Sequence, residues 1–316
     1  MEQALHFLSL LRGIAKVSEP GVGQAVYGGF AQVLPLGPVL VTHGFASATL
    51  VPSLCKLLGS LIEGYAMCMA EEECGPVFAA TVETLSAYSG KRDAVLAAAA
   101  ALVAAGRGPA ASELKYKHVM AVLGLLNKLQ DALFGVSPDV KDQLVALIFN
   151  GLQIVVPFVD GEMLAYPKLC KEYLYVVSQS VDSEPAKVIE LPPELFSTLM
   201  SSLEYGLDST DAVQAGNCVY AIYRLAKYVY DKQQCGGGTS AASLAADGQH
   251  SAALVHFLQV LLDKMLFKDF GAELVDSAAD LALALILCYE QLFGQMVQKL
   301  VESRPAEEQV RSKRLT

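Results

Sequence analysis

The sequence contains no tryptophan and lacks the β-branched runs bounded by hairpin turns that are typical of strands. Alanine and leucine, which both favour helices, are abundant instead. Apolar residues make up 53% of the chain, which is high for a single globule but suits stacked helix pairs, because each helix then buries a broad stripe. The composition therefore excludes an all-β fold and predicts an all-α protein.

Cysteine occurs without the spacing of a metal site, and positive charge is scarce. The seven cysteines are scattered, odd in number and contain no CxxC pair, which predicts reduced thiols in an intracellular protein. The 23 basic and 33 acidic residues give a net charge of −10. This charge argues against nucleic acid or anionic lipid as a partner and favours basic protein surfaces. The cysteines are Cys55, Cys68, Cys74, Cys170, Cys218, Cys235 and Cys288.

The N-terminal segment lacks the features of a signal peptide. Glu2 stands where positive charge is expected, and Arg12 interrupts the apolar run, so we expect no secretion. Residues 143–159 carry no charge but include Asn150 and Pro157, and their length is marginal for crossing a bilayer. We interpret this stretch as a buried helix without membrane insertion, and the alternative is a polytopic membrane protein.

Residues that could carry enzyme chemistry do not form a recognisable constellation. Gly21-Val22-Gly23 begins a dinucleotide-binding pattern, but the third glycine is replaced by Val26 and no strand precedes it. Ser53-Leu54-Cys55-Lys56 has SxxK spacing without an SDN or KTG partner, so we expect Lys56 on a helix surface. We therefore predict no enzyme, no cofactor and no catalytic or metal-binding residues. Five dispersed histidines are expected on helix faces or at caps: His6, His43, His118, His250 and His256.

Three further groups of residues each allow two interpretations. Glu71-Glu72-Glu73 is expected to be a solvated helix end, or else a site for a lysine-rich partner. Arg311-Ser312-Lys313-Arg314 is expected to be a charged tail, or else a localisation signal. Four tyrosines on one helix are expected to serve packing between repeats, or else a partner groove; they are Tyr220, Tyr223, Tyr228 and Tyr230.

Apolar periodicity predicts helices along the whole chain. Short connections near residues 160, 207 and 270 indicate antiparallel hairpins of the HEAT type, so residues 1–316 are predicted to form one solenoid segment. The alanine-rich span 94–105 is expected to be an outer helix or a long interhelical loop, residues 235–249 a flexible loop, and 304–316 a tail. The predicted helices are 3–17, 39–48, 52–69, 76–89, 94–105, 112–134, 138–157, 162–181, 192–206, 209–232, 250–267 and 272–301, the last with a break near Gly294.

Residues 166–207 contain two amphipathic helices on either side of a proline-marked elbow. The motifs Tyr166-Pro167-Lys168-Leu169-Cys170, Glu184-Pro185-Ala186-Lys187-Val188 and Leu191-Pro192-Pro193-Glu194-Leu195-Phe196 resemble the C-terminal region of the exportin-4 family. These proteins are nuclear export receptors of the karyopherin (importin-β) group. Weaker similarities occur along the chain in the same order as in the family, at residues 10–15, 118–129, 151–157 and 278–303.

The resemblance implies a superhelical α-solenoid of about five or six HEAT- or armadillo-type hairpins. It implies a receptor that binds protein cargo with Ran-GTP, contacts nucleoporins and shuttles between nucleus and cytoplasm through the nuclear pore. It transfers no catalytic residue and identifies no cargo- or Ran-binding residue. Exportins are much longer and use an N-terminal arch for Ran, so we expect a C-terminal fragment, a truncated gene model or a shortened paralogue. The alternative is a HEAT or armadillo scaffold that is not involved in transport.

Overall fold

The computed structural model describes residues 2–17, 29–30, 32–68, 71–133, 136, 138–235, 248–267 and 272–302. Within these ranges, fifteen α-helices and two short 3-10 turns have defined bounds, and no strand is present. This confirms the all-α prediction. Contacts between Cα atoms divide the chain into two compact units, Met1–Ser180 (unit 1) and Val181–Thr316 (unit 2).

Unit 1 is built from two rows of helices. In one row, α3 packs between α1 and α6, and hydrogen bonds join α6 to α9. In the other row, α4 packs between α2 and α7. Consecutive helices pair across the rows, as in helical-repeat proteins. The helices are α1 (Glu2–Val17), α2 (Leu36–Gly44), α3 (Leu50–Cys68), α4 (Glu71–Ser89), α5 (Arg92–Ala104), α6 (Gly108–Ala132), α7 (Pro138–Val155), α8 (Gly161–Leu164) and α9 (Pro167–Ser183), which ends just inside unit 2.

Unit 2 repeats this pairing. Helix α11 pairs with α12 and α13 pairs with α14, while α11 contacts α13 and α12 contacts α14. Like helices of successive hairpins therefore lie side by side, which is the arrangement predicted for HEAT-type units. The helices are α10 (Pro185–Ile189), α11 (Pro193–Leu207), α12 (Ala212–Cys235), α13 (Gly248–Phe267), α14 (Val275–Cys288) and α15 (Glu290–Glu302).

The alanine-rich segment forms helix α5, which lies on the outside of unit 1. Only Val95 and Ala99 are buried on this helix, and it packs against α6. Gly106 ends it with a left-handed φ of 72°, a conformation that favours glycine. The neighbouring Arg107 N–H then donates to the Leu102 carbonyl at 2.8 Å. Of the two predicted possibilities, the outer helix is correct.

Two predicted helix boundaries differ from the structure near prolines and aromatic residues. The single helix predicted over 162–181 is divided into α8 and α9, because Asp160 caps a one-turn helix and Pro167 begins a new one. The break predicted near Gly294 is wrong. The chain leaves helical geometry at Tyr289 (φ −137°, ψ 46°), and Gly294 lies inside α15, where its single-residue cost of about 1 kcal/mol is tolerated.

The connection between α2 and α3 is longer than predicted, covering residues 45–49 where 49–51 were expected. Helix α2 ends at Gly44, before the expected position 48, and the Ser47 hydroxyl accepts from the backbone N–H groups of Thr49 and Leu50. A Cβ on Gly44 would lie 2.2 Å from Leu50 Cδ2, so a larger residue here would require the Leu50 side chain to move. The elbow at 182–191 also contains a short helix, α10.

Several predicted features lie outside the described residues. These are Gly21-Val22-Gly23, the tail at 304–316 with Arg311-Ser312-Lys313-Arg314, and the loop at 235–249 except for its two ends, which belong to α12 and α13. The backbone of Glu71-Glu72-Glu73 begins helix α4, as expected for a helix end, but the structure describes none of their side chains.

Candidate partner-binding grooves

The histidines do not assemble a metal or catalytic site in the part of the chain that the structure describes. No group of three or more His, Cys, Asp or Glu side chains there could hold a metal ion. His6 and His43 are exposed on α1 and α2, as predicted. In unit 2, His250 packs edge-on against Phe196, and His256 Nε2 lies 2.9 Å from the Glu204 carboxylate.

His118 lies on a face of helix α6, as predicted, and this face is completely buried in unit 1. Its Nε2–H donates to the Ser47 carbonyl at 3.0 Å, and its Nδ1 accepts from the Tyr88 hydroxyl at 2.8 Å. Desolvation lowers the pKa of His118, and the bond to Ser47 opposes this shift. The neutral ring thus joins α6 to α4 and to the α2–α3 connection, which is a structural role.

The SxxK motif is part of a helix surface and does not form an acyl-enzyme site. Lys56 is exposed on α3, as predicted. Cys55 is buried, and desolvation raises the pKa of its thiol to about 12, so the thiol stays protonated and unreactive. The other cysteines whose side chains are described form no disulfide; they are Cys170, Cys218 and Cys288.

A groove of about 650 Å³ opens in unit 1 along helices α3 and α6. Helices α1 and α9 and the connection between α2 and α3 supply the remaining walls. Small residues line it on both central helices, among them Gly59 and Ser60 on α3 and Ala121 and Gly124 on α6. A Cβ on Gly124 would have no atom within 4 Å, so the absent side chain contributes to the open space.

Basic side chains dominate the walls of this groove. Lys128 is paired with Glu63 at 2.9 Å, and Lys117 is paired with Glu113 at 2.6 Å. Lys16, Lys56 and Lys168 are exposed and form no ion pair with any described residue. The lining includes six basic residues, Arg12, Lys16, Lys56, Lys117, Lys128 and Lys168, and two acidic residues, Glu63 and Glu172.

The groove therefore carries an excess of four positive charges in a chain whose net charge is −10. The charge of the whole chain predicts basic partners, and that expectation remains a prediction for its other surfaces. The net charge of the residues that line the groove has the opposite sign. Sequence reasoning missed it because its lysines come from four helices that are far apart in the chain, and no local charge run identifies them.

A smaller groove of about 270 Å³ lies in unit 2 between α11 and α13. Phe196, Met200 and Phe257 give it an apolar lining, and the Glu204–His256 pair lies at its edge. On α12, the rings of Tyr220 and Tyr223 are 5.9 Å apart, which places them on one face of the helix. Tyr220 is half-exposed, so it does not serve packing alone.

Two helices also expose apolar stripes. On α1, Phe7, Leu10 and Ile14 recur at helical spacing and are each about half exposed. On α14, Leu283 and Leu287 are exposed in the same way. Stripes of this kind mark contact surfaces more often than isolated exposed side chains do.

One helical stretch among the described residues, Val140–Phe158, is apolar and long enough to cross a membrane. It includes most of the uncharged segment found in the sequence. More than half of its most apolar part is buried within the structure. Core helices of water-soluble proteins meet the same criterion, so this finding is weak evidence for a membrane span.

No protein-family model matches the chain. Over 156 residues, or 49% of its length, it is 23% identical to exportin-4 of Dictyostelium discoideum, and the match covers 13% of that protein. It is also 23% identical to Ran-binding protein 17 of Homo sapiens in an alignment of 160 residues, which covers 47% of this chain and 14% of that protein. The chain thus matches about one seventh of each of these relatives. Both similarities agree with the karyopherin resemblance in the sequence, and they support a relationship at that family level and no finer.

Proposed function

We propose that this chain is part of a nuclear transport receptor of the exportin-4 type. In this role it binds protein cargo together with Ran-GTP for export through the nuclear pore, contacts nucleoporins and shuttles between nucleus and cytoplasm. The proposal is carried by the partial similarity to proteins named exportin-4 and Ran-binding protein 17 in a chain whose described residues form paired, stacked helices.

The fold supports a binding role without chemistry. Stacked helical hairpins present long surfaces to protein partners, and each hairpin adds side chains to them without needing a cofactor. The names of both relatives describe transport or Ran binding, which agrees with the expectation of a non-enzymatic protein.

The nucleotide dependence of Ran binding tests this proposal. The immobilised chain is incubated with Ran loaded with a non-hydrolysable GTP analogue or with GDP, and then with cell lysate. We expect Ran to be retained only in its GTP form and to increase the capture of cargo, because binding of the two partners is coupled reciprocally. Equal capture with both nucleotides would instead favour a helical-repeat scaffold that is not involved in transport, or a part of a receptor that needs the N-terminal arch to bind Ran.

A second measurement tests shuttling directly. Cells express the chain fused to a fluorescent protein, and the nuclear pool is bleached. We expect nuclear fluorescence to recover from the cytoplasmic pool faster than that of an inert fluorescent fusion of similar size. Recovery no faster than that of the inert protein would contradict receptor-mediated passage.

A further inference from the structure

We propose that the groove between α3 and α6 in unit 1 binds an extended acidic segment of a partner protein. This inference does not depend on the transport proposal, because it follows from the charge and shape of one groove. It also differs from what the net charge of the chain predicts, since that charge favours basic partners.

The first argument is the distribution of charge. Acidic residues outnumber basic ones in the whole chain by ten, whereas basic residues outnumber acidic ones by four along this groove. Lys16, Lys56 and Lys168 have no ionic partner among the described residues. Their ammonium groups are exposed, so they are available to carboxylates at little desolvation cost. The groove is therefore complementary to an acidic ligand.

The second argument is the shape of the groove. Its lining extends along α3 from Pro52 to Glu63 and along α6 from Tyr116 to Lys128, which is about 17 Å at 1.5 Å per residue. An extended chain rises about 3.3 Å per residue, so roughly five residues fit along it. Gly124, which is exposed and would have open space around a Cβ, allows a backbone to approach closely. The fitting ligand is thus a short segment with carboxylates directed toward the lysines and small or apolar side chains toward the floor.

The surroundings favour polypeptide over nucleic acid. Charges interact over about 8 Å at physiological ionic strength, so a short segment within the groove responds mainly to the local positive charge. A nucleic acid would continue beyond the groove, where its phosphates would meet a protein of net charge −10. A short acidic segment avoids this repulsion.

An unbiased selection tests the proposal. A surface-display library of random peptides is selected against the wild-type chain, against a K16E/K56E/K168E variant, and against a K187E/K227E/K299E control. The control has the same net charge as the first variant, and its lysines are exposed and do not line the groove. We expect peptides rich in Asp and Glu to be enriched on the wild type and on the control, and to bind the groove variant at least about tenfold more weakly.

A steric variant separates the groove from a general effect of charge. In Gly124→Met, the new side chain enters open space, and replacing a mid-helix glycine favours the helix, so the variant should fold at least as well as the wild type. We expect it to bind the selected peptides at least about fivefold more weakly at unchanged net charge, because the groove is partly filled. Circular dichroism melting of every variant confirms that binding is compared between folded proteins.

Three results would overturn the proposal. Peptides selected on the wild type without acidic enrichment would contradict the complementarity argument. Equal loss of binding in the groove variant and the control would assign the effect to net charge alone. Tighter binding of a labelled single-stranded oligonucleotide than of the selected peptides, in the same buffer, would identify the groove as a nucleic-acid site.

Discussion

The two grooves show how one backbone arrangement supports different recognition chemistry. Each groove opens between neighbouring helices of one row, α3 and α6 in unit 1 and α11 and α13 in unit 2. The first has small residues along its centre and unpaired lysines on its walls, whereas the second is lined by Phe196, Met200 and Phe257. Helical-repeat packing thus provides the space, and the residues that do not contribute to the core decide what can fill it.

The largest expected effect comes from disrupting the support of the unit 1 groove while leaving unit 2 intact. A Cβ on Gly151 of α7 would lie 2.3 Å from Cδ2 of Leu126, which is completely buried on α6. We expect Gly151→Val to lower the free energy of unfolding by about 2 to 3 kcal/mol through overpacking. Hydrogen exchange should increase in peptides of α6 and α7, with little change in those of α12 and α14.

Gly124→Ala is the matched control for this prediction. The added methyl group meets no atom within 4 Å, and alanine is a better helix former than glycine. We expect slightly slower exchange in α6, corresponding to a stabilisation of up to about 1 kcal/mol. Equal destabilisation by both substitutions would show that the contact between Gly151 and Leu126 is not what supports the groove.

The next effect concerns a buried cation in unit 2. Lys264 on α13 is 6% exposed, and its ammonium donates to the Leu207 carbonyl at the end of α11 at 3.2 Å and pairs with Asp208. We expect Lys264→Met to lower the free energy of unfolding by about 1 to 3 kcal/mol, because a buried carbonyl loses its hydrogen-bond donor. The exposed Lys227→Met should change stability by less than about 0.5 kcal/mol in the same denaturant titration. Similar effects of the two substitutions would contradict a buried anchoring role for Lys264.

The buried histidine of unit 1 predicts a pH dependence. The pKa of His118 is lowered in the folded state by desolvation, so the unfolded chain binds the proton more readily. The stability that neutral His118 contributes is therefore fully present above its pKa in the unfolded chain, which is about 6.5. It is lost as the pH falls toward the lower pKa of the folded state. Urea unfolding measured between pH 7.5 and 5 should show this loss, and the loss should be smaller in His118→Gln. An unchanged pH slope in that variant would contradict the assignment.

Removing the hydroxyl that bonds to His118 tests the same network at constant pH. In Tyr88→Phe, the buried Nδ1 of His118 loses the donor that now lies 2.8 Å away. We expect the free energy of unfolding to fall by about 1 to 2 kcal/mol at pH 7.5. The exposed Tyr205→Phe, in unit 2, should have almost no effect on the same unfolding curve. If Tyr88→Phe left the free energy of unfolding unchanged, this hydrogen bond would contribute little to stability.

The smallest expected effects on stability come from removing the charge of one acidic residue at each groove. Glu63 pairs with Lys128 in unit 1, and Glu204 pairs with His256 in unit 2. Glu63→Gln and Glu204→Gln should each lower stability by less than about 1 kcal/mol, because exposed ion pairs contribute little. Only Glu63→Gln should increase affinity for the selected acidic peptides, since it removes a negative charge from the lining of the basic groove. Equal gains from both would contradict the difference between the grooves.

The helical content of this protein could be predicted because its signals are local. Apolar periodicity, Pro109 near the start of α6 and Gly106 at the end of α5 act within a few residues of their own positions. The break at Tyr289 was missed for the corresponding reason. No proline or glycine marks it in the sequence, and the glycine that suggested a break at 294 lies within a continuous helix.

The sequence by itself determined the all-α class, the pairing of helices through short connections and the resemblance to export receptors, because each depends on residues that are close together in the chain. Only the tertiary structure decided that His118 and Lys264 are buried. It also placed Lys16, Lys56 and Lys168 around one groove. Burial and electrostatic potential depend on which distant segments pack together, so composition and spacing do not reveal them.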